Sequence, residues 1–76
     1  MTHIPNLSFK QLISVVERLG FARVRQRGSH IRFAHDDGRK TTIPDHGNQS
    51  VPKGLLSKIV RNDLEMTLAD FMKLLQ

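Results

Sequence analysis

The sequence predicts an α+β fold of two layers, in the order helix, three-stranded antiparallel sheet, helix and short C-terminal helix. Three observations predict it. Apolar residues recur at helical spacing on both sides of a central stretch in which the period falls to two. That stretch is punctuated by Gly28-Ser29 and by Asp36-Asp37-Gly38, which are turn signals between strand-like runs. A chain of 76 residues holds one domain with a thin core, so both larger helices must cover the same sheet face and leave the other open.

The elements follow in order. Ser8, with Gln11 three residues on, has the spacing of a capping box. Phe9, Leu12, Ile13, Val16 and Leu19 then form a helical stripe that Gly20 stops. From Phe21, Arg23, Arg25 and Arg27 alternate with Ala22, Val24 and Gln26, which predicts a strand with one packed and one wet face. Past the Gly28-Ser29 turn, Ile31 and Phe33 point to the core while His30 and Arg32 point away from it. The third strand, Arg39–Ile43, is rich in β-branched residues and closes at Pro44. Residues 45–50 are polar and predict an exposed loop.

Pro52 suits the first turn of a helix whose stripe is Leu55, Leu56, Ile59 and Val60, and Asn62-Asp63 breaks it. Thr67 with Asp70 caps a final short helix carrying Leu68, Phe71, Met72 and Leu75. The expected organisation is a single domain over residues 1–76, with residues 1–7 as a flexible N-terminal tail.

Composition excludes several chemistries. With no cysteine, there is no disulfide framework, thiolate metal site or thiol nucleophile. The start of the chain lacks a basic stretch followed by an apolar one, and no apolar run is long enough to cross a bilayer. The expectation is a soluble, cytoplasmic protein without membrane contact. The net charge of +5 points to a polyanionic partner. Most of the excess lies in residues 21–40, where Arg23, Arg25, Arg27, Arg32, Arg39 and Lys40 face only Asp36 and Asp37.

Arginines at alternate strand positions stand about 7 Å apart, close to the spacing of successive backbone phosphates. Guanidinium forks bind phosphate bidentately, and counterion release adds salt-sensitive affinity. Arg25, Arg27, Arg32 and Lys40 are therefore candidate RNA contacts. Ser29 joins them as a turn hydroxyl, and Lys53, with Lys58 near it, could reach a neighbouring phosphate from the second helix. The competing reading is an ordinary solvated basic face, which one-sided clustering disfavours.

A lone histidine is usually incidental, but His30 starts a strand among these cations. RNA carries its own nucleophile, the ribose 2′-OH, so a protein need supply only proton transfer and charge stabilisation. Imidazole titrates near neutrality and suits the proton transfer, with no metal required. Ser29 lacks the histidine–acid arrangement of an activated nucleophile. His3, His35 and His46 have no metal-ligand spacing and read as surface histidines, with His35 and His46 as minor candidates for a second proton transfer. Asp36 and Asp37 are accounted for by turn chemistry.

Other nucleic-acid modules fit poorly. The chain has no G-x-x-G clamp and no Tyr or Trp for base stacking. Its final helix carries only Lys73 among apolar residues, which excludes it as a recognition helix. Strand-face and helix-end binding is closer to double-stranded RNA recognition.

Taken together, Gly20-Phe21, the run Arg25-Gln26-Arg27-Gly28-Ser29-His30-Ile31-Arg32-Phe33, His35-Asp36-Asp37-Gly38-Arg39, Thr42-Ile43-Pro44 and Val51-Pro52-Lys53-Gly54-Leu55 resemble the HicA toxins. These are the mRNA interferases of type II HicAB toxin–antitoxin pairs, and the resemblance spans roughly residues 8–75. It implies a double-stranded-RNA-binding-domain-like fold and ribosome-independent cleavage of an mRNA substrate without a small-molecule cofactor. It also implies neutralisation by a HicB-type antitoxin protein that covers the active site. The catalytic histidine of the family's Gly-Ser-His element corresponds to His30. Many members carry a further histidine just after it, where this chain has Ile31 and Arg32.

Two rivals share the fold. A non-catalytic double-stranded-RNA-binding or regulatory protein binds RNA in a salt-sensitive way and makes no new RNA ends. A purely structural partner of another protein does neither.

Overall fold

A computed structural model describes residue 4 and residues 6–75. Helix α1 (Phe9–Arg18) leads into strands β1 (Ala22–Arg27), β2 (His30–Ala34) and β3 (Lys40–Pro44), then helices α2 (Lys53–Lys58) and α3 (Leu68–Lys73). The three strands form one antiparallel sheet in the order β1-β2-β3. This is the predicted α+β order. None of the described helices is long and apolar enough to cross a membrane.

Helix α1 begins with the capping box its sequence predicts. The Gln11 N–H donates to Ser8 Oγ at 3.1 Å, and the Ser8 N–H donates to Gln11 Oε1 at 2.9 Å. Its apolar side, from Phe9 through Val16, meets Ile31, Phe33 and Ile43 of the sheet in one core with Leu56, Val60, Leu64 and Phe71. Val15, outside the predicted stripe, is also buried, on the flank where Arg18 donates to the Leu74 carbonyl at 3.0 Å.

Of the stretch expected as a tail, residues 1–3 and 5 lie outside the described residues. Leu7 is buried, and its carbonyl accepts the Val51 N–H at 2.7 Å, so the ordered domain begins earlier than predicted. Asn62-Asp63 is expected to break the second helix, and the helical run does end there, α2 passing into a π-helical turn over Ile59–Asp63 before it stops. The wider turn keeps Ile59 and Val60 in the core and brings Asp63 to Thr41, whose hydroxyl donates to its carboxylate at 2.9 Å.

The C-terminal end of α1 is held by a residue read from sequence as a surface histidine. His35 is half-buried, edge-on to Phe21 with ring centroids 5.1 Å apart, and its Nε2 lies 3.1 Å from the Leu19 carbonyl. Its Nδ1 lies 3.1 Å from the Asp37 backbone nitrogen and 3.2 Å from Asp37 Oδ1. Gly20, at φ +101°, brings the chain so close that a Cβ there would sit 3.0 Å from His35 Nε2. Gly20→Ala is therefore expected to cost about 1–3 kcal/mol through left-handed strain and displacement of His35. Denaturant unfolding measures this, and an unchanged midpoint would refute the tie.

The hairpin between β2 and β3 is closed by Asp37. The Arg39 N–H donates to its Oδ1 at 3.0 Å and Arg39 Nε to its Oδ2 at 2.8 Å. These hydrogen bonds, led by the backbone one, hold the Asp37 carboxyl below its ordinary value of 3.8. A lowered carboxylate stabilises the fold fully above that ordinary value, and the contribution disappears as pH falls through the lowered one. Asp37→Asn should melt below the parent at neutral pH and converge with it in strong acid. A deficit equal at both pH values would contradict this account.

Candidate active site

Residues paired across an antiparallel ladder share a face. The pairs Arg25↔Arg32, Arg27↔His30 and Arg32↔Thr42 therefore gather five side chains on the face opposite the helices. Arg25, Arg27, His30, Arg32 and Thr42 line one shallow depression there. His30 is the first residue of β2, delivered by a turn in which Gly28 takes φ +59°. The Asp45 N–H donates to the Ser29 carbonyl at 2.7 Å, which fastens that turn to the loop after β3.

The predicted alternation along β1 needs correction. Val24 is an extra residue in the ladder, a bulge that leaves Arg23 opposite Phe33 and Arg25 opposite Arg32. Arg23 thus turns to the helix side, where its Nε donates to Glu17 Oε2 at 3.2 Å and its guanidinium lies 5.9 Å from the Phe33 ring centroid. No residue of β1 is buried. All six are exposed, Val24 among them, because α1 and the π-helical turn sit on β3 at the other side of the sheet.

The bulge divides the basic segment into two kinds of cation. Arg23 is paired with Glu17, while Arg39 is paired with Asp37, lies over Phe21 at 5.1 Å and donates to the Leu64 carbonyl at 2.6 Å. Arg25, Arg27, Arg32 and Lys40 make no ion pair among the described residues. Arg25 and Arg32 even lie directly opposite one another, an arrangement that costs stability until an anion sits between them. The open face thus carries positive charge that no carboxylate among the described residues offsets.

The remaining candidates are dispersed. Ser29 is half-buried in its turn beside His30. Lys40 shares the open face further along β3 and, with Arg32 and Lys58, lines a second groove. Lys53, the exposed first residue of α2, lines neither depression. His46 is occupied edge-on with Phe9 at 5.1 Å, and neither it nor His35 lines the His30 depression; His3 lies outside the described residues. Among the described residues, no group of three or more His, Cys, Asp or Glu could hold a metal ion. Thr42 was missed by sequence reasoning, although counting back from the Asp36-Asp37-Gly38 turn places it opposite Arg32.

Residues 9–65 match the profile of a family described as the HicA toxin of bacterial toxin–antitoxin. No curated protein matches the chain at a significant level. The matched segment runs from the first residue of α1 through the sheet and the π-helical turn, so it contains every residue of the depression. Helix α3 lies beyond the match, yet its Phe71 is fully buried in the same core. The chain therefore belongs to the HicA toxin family, and it is a toxin of a toxin–antitoxin system.

Proposed function

We propose that this toxin is an endoribonuclease that cleaves mRNA at the depression around His30. The observation that carries this reading is an imidazole set among three arginines that make no ion pair with the protein. A phosphodiester placed there is held by Arg25, Arg27 and Arg32, with Thr42 in reach of its oxygens. His30 takes the proton from the 2′-OH as that oxygen attacks phosphorus, or returns one to the departing 5′ oxygen. The guanidinium groups stabilise the charge that builds on the phosphorane.

Such chemistry needs no metal and leaves a 2′,3′-cyclic phosphate with a 5′-hydroxyl. Ser29 and Lys40 extend the anion-binding face, and Lys53 approaches RNA from the helix side. A HicB-type antitoxin is the partner that neutralises this surface in the cytoplasm. The test is incubation of the purified protein with structured mRNA in EDTA, beside His30→Ala. Cyclic-phosphate ends made only by the parent support the reading. RNA bound by both proteins with no new ends favours the non-catalytic alternative.

A further inference from the structure

The second groove lies along β3 and is walled by the side of α2 and its π-helical extension. Arg32, Lys40 and Lys58 line it together with Leu55, Ile59 and Asp63. We propose that it binds the nucleotide next to the one at His30, and that Asp63 selects the base. The proposal rests on the reading that RNA lies across the open face.

Arg32 and Thr42 line both depressions, so the two adjoin. Adjacent strands are about 4.8 Å apart, which puts the groove within one nucleotide step of the β2 depression. Lys40 and Lys58 join Arg32 as cations with no ion pair among the described residues, the charge that a phosphate would neutralise. Leu55 and Ile59 offer an apolar wall for the face of a base.

Asp63 is the telling group. A site for phosphate alone gains nothing from a carboxylate. Yet Asp63 lines the groove with three cations and forms an ion pair with none of them, the one side-chain hydrogen bond of its carboxylate among the described residues being from the Thr41 hydroxyl to Oδ2 at 2.9 Å. No side chain among the described residues donates to its other oxygen, which leaves that oxygen able to accept from a ligand. On its Watson–Crick edge guanine presents two adjacent donors, N1–H and the N2 amino group, to a carboxylate, whereas uracil presents a single N3–H between two carbonyl acceptors. The groove thus favours guanine over uracil at one position flanking the cleaved bond.

Short single-stranded RNAs that differ only at the nucleotides flanking the cleaved bond test this with the parent, Lys58→Ala and Asp63→Asn. Lys58→Ala should raise KM about 5–10-fold with kcat little changed, as expected for loss of a phosphate contact. In the His30→Ala background, it should weaken RNA binding and lower the salt slope by about 0.7. Asp63→Asn keeps an acceptor for Thr41 and should reduce discrimination against uracil about tenfold at one position. A purely structural role for Asp63 would lower the melting temperature without changing base preference.

If the parent cleaves and both variants match its KM and base preference, the groove is not a subsite and the nuclease reading stands. If the parent binds RNA without cleaving it, the nuclease reading fails, and the binding comparison still decides the groove. Absence of any RNA binding overturns both. Lys58 is exposed, so that variant keeps the test decisive even if Asp63→Asn folds poorly.

Discussion

His30→Ala is expected to reduce RNA cleavage by about 10²–10⁴-fold, the usual contribution of a positioned general acid or base, and to abolish growth inhibition. Folding should be almost unaffected. His30 is exposed at the start of β2, and its ladder hydrogen bonds are backbone ones that alanine retains. Substitutions at such surface positions usually stay within about 0.5 kcal/mol. RNA affinity should also survive, because Arg25, Arg27 and Arg32 are untouched. Three measurements separate the contributions: cleavage rate, RNA binding by the variant, and thermal melting. A variant that cuts at the parental rate would remove His30 from the mechanism. One that melts far below the parent would make its inactivity a folding defect.

Phe33→Ala is expected to have the largest effect on stability. Phe33 is fully buried on the central strand, with Arg23 over its ring and the helical layer against its face. Phenylalanine truncation in such a core costs about 3–5 kcal/mol through lost transfer energy and the cavity left behind. A domain of this size has roughly 4–11 kcal/mol of stability in total. The variant should therefore be largely unfolded in mild urea and partly unfolded near body temperature. The loss of the Arg23 contact adds to this, since that guanidinium shields one side of the ring from water. Urea unfolding followed by far-UV circular dichroism measures the change. A cost under about 1 kcal/mol would mean that the helices do not pack on this face as described.

The two predictions concern opposite faces of one strand. His30 and Arg32, the groups of the proposed chemistry, face outward while Ile31 and Phe33 hold the fold inward, because successive strand residues alternate in direction. A one-residue slip of β2 would exchange the two sets, so the packing of Phe33 is also what keeps His30 on the open face.

Much of this was readable from the chain itself. The capping box of Ser8 and Gln11, the turn at Gly28-Ser29, the cap at Thr67 and the alternation from His30 to Phe33 depend on neighbours within four residues. Local backbone preference and local side-chain hydrogen bonds decide such features, so sequence spacing is enough to find them. The element order and the side of the sheet on which His30 sits follow from them.

What spacing could not supply depends on residues distant in the chain. Arg23 leaves the arginine row because Val24 bulges opposite β2 and Glu17 waits on α1 to receive it. His35 leaves the surface because Gly20 and Phe21 fold against it from across the sheet. Lys58, rather than Lys53, joins Arg32 and Lys40 because the π-helical turn sets how α2 lies on β3. Alternation along a strand assigns each side chain a face only while the ladder is regular, and one unpaired residue reverses the assignment. Which arginines answer a protein carboxylate, and which stay unpaired on the open face, is therefore settled by packing between elements, where the free energy of pairing a charge is realised.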